Sequence, residues 1–567
     1  MALKLITGDT FKAEFDGVMA ELKRNYLADR RAMHVVLVPD KFSLTMEKEV
    51  LESLNLEGSA NVQVLSFLRF AGRAMKNSVK NCLTPQGVVM LLQKVINDVG
   101  DRLTVYKNAS KTPSFANEMY ASLTSLRNSG VTVQALRDAL PRIKSQVLAE
   151  KTQDMAIILE AYLAELQSGY VDSTTRLEKF AGFIPSMPNV ERTYFYVTDI
   201  YKFTAPEYDV LEALAKSSPG VTVGLPLGYG ENKRLFPFGV KARIVSMCKN
   251  AGILLKEGRA SACIKPQFQK IVDNLYSYRG VLQTSAGGAI EISYADDNFS
   301  ECEEAASKIA ELINFSDYRY KDIAVVIPDE GYFGPVKSAF ERFGIPHFVD
   351  ESTVFTGLLP IKYLLSVLSY SSTRLTDDAL EIVKNPLFTE GEDLTFDDVD
   401  AFENFILPFG ADRMVFLKEF SGDEAAEKVR QTFLEKMPKF KKADTAENFT
   451  EKIEKFLSDD KFFQKVSSFA AEAKDAKIQK SFSQTESRLC SVFEEIKRTI
   501  GKSFMDFDDY LRVLTSTLES VKISLTPLYL DSVFVGTSQK SRFEGVKTMF
   551  VLGATASGMP EGVGNTA

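Results

Sequence analysis

Histidine occurs only twice in this 567-residue chain, at His34 and His347. A serine–histidine–aspartate hydrolase or a zinc hydrolase draws on imidazole that this chain scarcely has. His34 opens an apolar strand and His347 follows Ile-Pro, so both are read as structural. Cysteine is scarce too. Cys82, Cys248, Cys263, Cys302 and Cys490 lie far apart with no CxxC pair. They read as thiols in a reducing compartment, not as a disulfide framework or a local metal site. No run of about 18 apolar residues exists, and MALKLITGDT lacks a basic segment followed by an apolar signal core. We therefore expect a soluble, cytoplasmic protein with no membrane partner. Excess positive charge is also missing, since the formal charge is −8. Any nucleic acid would have to be gripped by a local basic or aromatic groove.

What remains is ordinary globular composition, 45% hydrophobic and 25% charged, long enough for about three or four domains. The first 70 residues alternate strand and helix: LKLIT (3–7), a helix over 11–27, HVVLV (34–38), a helix near 44–53, and VQVLSF (62–67). Continuously apolar strands separated by helices predict a parallel sheet covered on both faces. From about 75 to 187 the spacing is helical. Thr84-Pro85 starts one helix and Gly100 ends it, and 154–168 repeats the pattern. Strands return at TYFYVT (193–198) and VTVGLP (221–226), with a helix over 205–216 between them. A Gly-rich stretch, 280–289, is the best linker. A second α/β unit is expected from IEISYA (290–295), with Ser300 and Glu303 as a capping box, then DIAVVIP (322–328), a helix over 332–343 and IPHFV (345–349). Residues 372–520 read as helical and charged, and strands resume over 531–553. The chain then runs to Ala567 with no closing helix, which reads as the front portion of a longer protein whose open sheet edge would promote self-association.

Four segments carry a family resemblance: VLVPDKFSLTMEKE (36–49) with VQVLSFLRFAGR (62–73), FYVTDIYKFTAPEYDVL (195–211), YRYKDIAVVIPDEGYFGPVKSAFERFGIPHFVDES (318–352), and VFVGTSQKSRFEGVKTMFVLGATASGMPE (533–561). Together they resemble the superfamily 1 helicases and, more closely, the AddB (RexB) family of second subunits of AddAB helicase–nucleases. The resemblance implies an α/β fold of two RecA-like domains with parallel sheets, each interrupted by a helical insert. The first would take residues 1–75 and 188–280 around an insert at 76–187, the second 290–372 and 520–567 around an insert at 373–519. It implies an AddA-type partner, DNA ends as substrate and, beyond residue 567, a nuclease domain using magnesium and holding a 4Fe–4S cluster. No residues here match that domain, so no cofactor is expected in this chain.

A phosphate loop needs Gly-rich backbone N–H groups, a lysine for the β/γ phosphates and a Ser/Thr for magnesium. If Gly8 is its first glycine, Ala13 replaces the second, Glu14 holds the lysine position and Phe15 the Ser/Thr position. A carboxylate about 4 Å from a phosphate charge costs on the order of 4 kcal/mol at an effective dielectric near 20. The strand expected to supply acidic magnesium ligands ends Val197-Thr198-Asp199, and Asp199 has no acidic neighbour in the sequence. We therefore expect no ATP hydrolysis and a degenerate nucleotide site at Gly8, Glu14 and Asp199.

A strand channel needs aromatic faces for bases and donors for phosphates, at the carboxyl ends of a parallel sheet. The loops there offer Lys41 and Ser43, Phe67 and Arg69, and Lys202 and Phe203. The resemblance implies that this surface reads a recombination hotspot (Chi). Phe67, Arg69 and Phe203 match the family pattern, whereas Lys41 stands for a glutamine, Ser43 for a threonine and Gly72 for a tryptophan. In the second unit the loop 538–545 offers Lys540 and Arg542. Plain readings compete: Phe67 as core, Arg69 as the partner of a surface acid, Lys41 and Ser43 as ordinary loop residues, and Lys540 and Arg542 as solvated. The expected function is a non-hydrolysing DNA-binding subunit; the alternatives are an active DNA-dependent ATPase and a scaffold without DNA recognition.

Overall fold

The computed structural model describes residues 2–40, 43–76, 81–112, 114–227, 237–261, 268, 288–409, 416, 418–473, 476–524, 531–537, 541, 543 and 545–555. The chain divides into two compact units, Met1–Glu291 and Ile292–Ala567.

The first unit is built on β1 (Ala2–Gly8), α1 (Phe11–Ala28), β2 (Met33–Leu37), α2 (Ser43–Ser53), β3 (Val62–Leu65) and α3 (Phe67–Ala74). Five helices follow: α4 (Pro85–Val99), α5 (Ser114–Asn128), α6 (Val133–Ala139), α7 (Gln146–Gln167) and α8 (Ser173–Phe183). The chain then returns through β4 (Thr193–Val197), α9 (Ala205–Ser217), β5 (Gly220–Pro226), α10 (Pro237–Ala251) and β6 (Leu254–Ala260). The six strands form one parallel sheet in the order β3-β2-β4-β5-β1-β6. Successive side chains alternate between two cores. Leu3, Leu5, Val35, Leu37, Phe195 and Val223 meet α3, α8, α9 and α10, while Ile6, Val36, Val62, Val64 and Tyr196 meet α1 and α2. Both faces are covered, which is why the strands read as largely apolar runs.

The helices between β3 and β4 have a core of their own, with Val88, Leu92, Ile96, Ile158 and Tyr162 at its centre. Thr84 accepts from the Gly87 N–H and Pro85 takes the first turn, so Thr84-Pro85 starts α4 as its sequence requires. Two buried aspartates tie the layer together. Asp154 accepts from the N–H groups of Thr104, Val105 and Tyr106. Asp172 caps α8 and takes the Tyr162 hydroxyl and the Arg127 guanidinium.

The second unit contains α11 (Asn298–Phe315), β7 (Ile323–Ile327), α12 (Phe333–Arg342), β8 (His347–Val349) and β9 (Ser352–Val354). A helical run follows: α13 (Leu359–Thr373), α14 (Thr376–Val383), α15 (Pro386–Thr389), α16 (Phe396–Ile406) and α17 (Glu424–Lys436). After β10 (Ala443–Thr445) come α18 (Ala446–Asp459), α19 (Phe462–Glu472), α20 (Ala476–Ser483) and α21 (Thr485–Thr499). The unit closes with β11 (Phe504–Asp506), α22 (Phe507–Ser520), β12 (Lys522–Ser524), β13 (Val533–Thr537) and β14 (Thr548–Val551). Its main sheet is parallel, β14-β7-β13-β8, with α11 and α12 packed on one face. β9 and β12 pair antiparallel, returning the helical run to the sheet.

Three expectations are corrected. Residues 290–295 are not a strand. Ile292 and Tyr294 are exposed, and no described strand offers them a ladder. The helix expected to start at Ser300 begins earlier, because Asp297 accepts from the Ser300 N–H and caps it; a carboxylate is the stronger acceptor at that position. The strand β6 and the helix α10 before it had not been anticipated. β6 is an edge strand whose LLKEGRA sequence carries three charges, which hides it from an apolar pattern. The expected linker lies mostly outside the described residues.

Candidate nucleic-acid interface

The carboxyl ends of β1, β2, β3 and β4 lie along one edge of the first sheet, and Gly8, Glu14, Ser43, Phe67, Arg69, Asp199, Lys202 and Phe203 fall at or just after them. At the end of β1 only Asp9 and Thr10 separate strand from helix. Thr10 caps α1 by accepting from the Ala13 N–H at 3.1 Å. The predicted phosphate loop is therefore already helix at Phe11, and Glu14 sits in its first turn, with its N–H bonded to Thr10 O. The helix expected over 11–27 thus leaves only Asp9 and Thr10 between strand and helix.

Glu14 is buried, at 1% exposure. Its carboxylate reaches past β5 and accepts the Thr198 hydroxyl at 2.7 Å. Gly224 makes the crossing possible, since a Cβ there would lie 1.6 Å from Glu14 Oε1. Gly8 serves the same packing from β1, where a Cβ would lie 2.4 Å from Glu14 N. Gly8 on β1, Gly224 on β5 and Thr198 just after β4 thus close round one carboxylate. Lys12 points elsewhere and pairs with Asp16 on the surface of α1 at 2.9 Å. Asp199 takes the left-handed backbone, with φ at 62°, a region Asp tolerates better than most residues. Its carboxylate accepts the Tyr201 hydroxyl.

At the ends of β2 and β3 the charged groups are open to solvent. Arg69 pairs with Asp40 at 2.8 Å, both side chains being more than half exposed. Asp40 also accepts the Ser66 hydroxyl at 2.7 Å. Ser43 is buried, gives its hydroxyl to Asp40 O and receives Arg69 Nη1 at 3.3 Å. Ser43 and Arg69 are therefore brought together, with Asp40 as a member the sequence reading missed. A carboxylate one strand over from an arginine is the signal that could have found it.

The aromatic candidates are placed otherwise. Phe67 and Phe203 are buried, at 3% and 5% exposure, in edge-to-face contact across 6.3 Å. Both rings belong to the sheet core, so neither presents a face outward. Lys202 is exposed and, among the described residues, forms no ion pair. Gly72 faces Arg176 of α8, where a Cβ would find ordinary contact at 3.5 Å. Lys41, Lys540 and Arg542 lie outside the described residues. Among the described residues no cluster of His, Cys, Asp and Glu is arranged to hold a metal ion, and no helix is long and apolar enough to cross a membrane.

The family described as ADDB, N-terminal, matches residues 7–259. An ATP-dependent helicase/deoxyribonuclease subunit from Clostridium botulinum (strain Hall) is 24% identical over an alignment covering 98% of this chain and 52% of its own length. The protein of the same name from Caldanaerobacter subterraneus subsp. tengcongensis is 24% identical, with 99% of this chain and 52% of its own length covered. Another, from Thermoanaerobacter sp. (strain X514), is 25% identical, with 99% and 53% covered. The chain spans about half the length of the curated relatives it matches.

Proposed function

This chain belongs to the AddB family, and we propose that within it the chain serves as a helicase-like DNA-binding subunit that does not hydrolyse ATP. It would work with an AddA-type partner in a helicase–nuclease that processes broken DNA ends for recombination. In this reading the two parallel sheets are RecA-like domains, each interrupted by a helical insert. Motor work comes from the partner. Magnesium and an iron–sulfur cluster belong to a nuclease domain outside these residues.

One observation supports the reading: Glu14, at the position where a phosphate loop would need its lysine, is buried and hydrogen-bonded to Thr198. A phosphate chain needs free N–H groups and a cation there. It meets a carboxylate and a side-chain-capped helix start instead. The edge at β2 and β3 stays open, with Arg69 and Lys202 available to phosphate and Ser43 beside Arg69. A strand threaded along it could be scanned for a Chi-like sequence.

The burial of Phe67 and Phe203 favours a second reading, a scaffold whose groove no longer recognises DNA. Single-stranded DNA binding measured by fluorescence anisotropy over a salt series, with the AddA-type partner present, separates the two. The proposed function gives affinity that falls as salt rises and that drops on Arg69→Ala. Absence of binding at low salt, or affinity indifferent to Arg69→Ala, favours the scaffold.

A further inference from the structure

The two aromatics expected to stack bases are buried, yet the same sheet edge presents another pair. Phe11, at the first position of α1, is 60% exposed. Its ring meets Tyr201 edge-on at 5.0 Å between centroids. Phe11 follows β1 and Tyr201 follows β4, and β5 lies between those strands, so the pair bridges over the end of β5. A single exposed phenylalanine is unremarkable; this one is held. The Tyr201 hydroxyl donates to Asp199, whose left-handed backbone turns the segment back over the sheet. Lys202, without an ion pair among the described residues, is next in the chain.

We infer that Phe11 and Tyr201 form a stacking surface for a nucleobase of single-stranded DNA. The inference rests on the DNA-binding reading above and adds the contact surface which that reading lacks. Four strand spacings of about 4.8 Å separate β3 from β1. Arg69 at one end and Phe11 at the other therefore lie about 19 Å apart along the edge by this spacing, far enough to engage different nucleotides of one strand. A base has a π-face whatever its identity, so the contact tolerates sequence. A mononucleotide could offer the same base, but only a strand carries further phosphates along the edge to Lys202 and Arg69. The occupant is therefore assigned to the DNA strand.

The chain contains no tryptophan, so Phe11→Trp introduces a lone fluorophore at the proposed contact. Its emission should be quenched by oligothymidylate, and not by an abasic oligonucleotide of equal length or by Mg·ATP. Phe11→Ala should weaken oligothymidylate binding roughly 5- to 150-fold, the range for loss of one stacked base, and leave abasic binding unchanged. Unquenched Phe11→Trp with bound oligothymidylate, or Phe11→Ala binding as tightly as the parent, overturns the inference while the DNA-binding reading survives through Arg69→Ala. Quenching by Mg·ATP overturns the assignment to DNA. Failure of the unaltered chain and partner to bind any oligonucleotide removes both.

Discussion

Two stretches of one sheet edge treat their charges in opposite ways. At the end of β1, Glu14 is buried, accepts the Thr198 hydroxyl and is fitted against Gly8 and Gly224. At the ends of β2 and β3, Arg69 and Asp40 pair in solvent, more than half exposed. The first arrangement is locked, because moving the carboxylate strands a buried polar group. The second is loose, because a surface pair is worth about 0–1 kcal/mol and can be exchanged for a phosphate. Parallel-sheet geometry thus supplies a ligand-binding edge, while single side chains decide which part of it remains available.

The largest effect is expected where locking is strongest, in the second unit. There Asp460, nearly buried, takes Lys436 and Lys465 through one oxygen and the Tyr363 hydroxyl through the other. The same lysines reach the carbonyls of Phe388 and Leu387 at α15, and burial holds the Lys465 ammonium below its usual pKa. Asp460→Ala leaves the buried Lys465 without a carboxylate, whereas Lys436 keeps Glu392 at 2.7 Å, and should cost about 3–5 kcal/mol, read as a lowered denaturation midpoint. A loss below about 1 kcal/mol would place this network with the loose surface pairs.

Next comes the lock on Glu14. Gly224→Ala places a methyl in the carboxylate's space and should cost about 1–3 kcal/mol. Thr198→Val removes a donor from a buried acceptor and should cost a similar amount, about 1–3 kcal/mol. Neither change should reduce DNA binding in proportion to the lost stability. A large and equal loss of both would erase the distinction between the two stretches.

His34 gives a pH test of the same principle. It is fully buried on β2, 3.2 Å from the Tyr196 hydroxyl and stacked on Tyr194, and its Nε2 makes no hydrogen bond among the described residues. Burial lowers its pKa, so folding favours the neutral ring. This contribution to stability is complete above the unfolded value of about 6.5. It declines as pH falls from there toward the lower folded value, and below that value it is gone. Urea midpoints over this range should fall with pH in the parent and fall less in His34→Phe. Equal slopes would show that the ring is not desolvated.

The smallest change in stability should come from Asp40→Asn, under about 1 kcal/mol. The same substitution frees Arg69 and should tighten single-stranded DNA binding with a steeper salt dependence. Unchanged binding would mean that Arg69 is not a phosphate ligand.

Much of the fold was legible because burial on both faces writes largely apolar runs: β2, β4, β5, β7 and β13 fall where such runs do, and β1 and β3 follow them apart from Lys4 and Gln63. β6 escaped because an edge strand tolerates Lys256, Glu257 and Arg259. Residues 290–295 misled in the opposite direction, since alternation of Ile290, Ile292 and Tyr294 specifies a strand only when another strand pairs with it. In the site, the residue pattern marked loops at the strand ends but not the side-chain directions. Phe67 begins a helix after a capping Ser66, which turns its ring inward; Phe11 begins one after Thr10 and stays outside. Both follow a strand and a hydroxyl cap, so only packing tells them apart. The Arg69–Asp40 pair was foreseen in kind, but its partner required the register of β2 against β3.

Everything on the nucleotide side turns on whether the buried Glu14 keeps a triphosphate out. Equilibrium dialysis of Mg·ATP against the purified chain puts that to the test. No saturable binding should appear at millimolar nucleotide. Saturable, magnesium-dependent binding that disappears on Gly8→Val would show instead that the site still accepts a triphosphate.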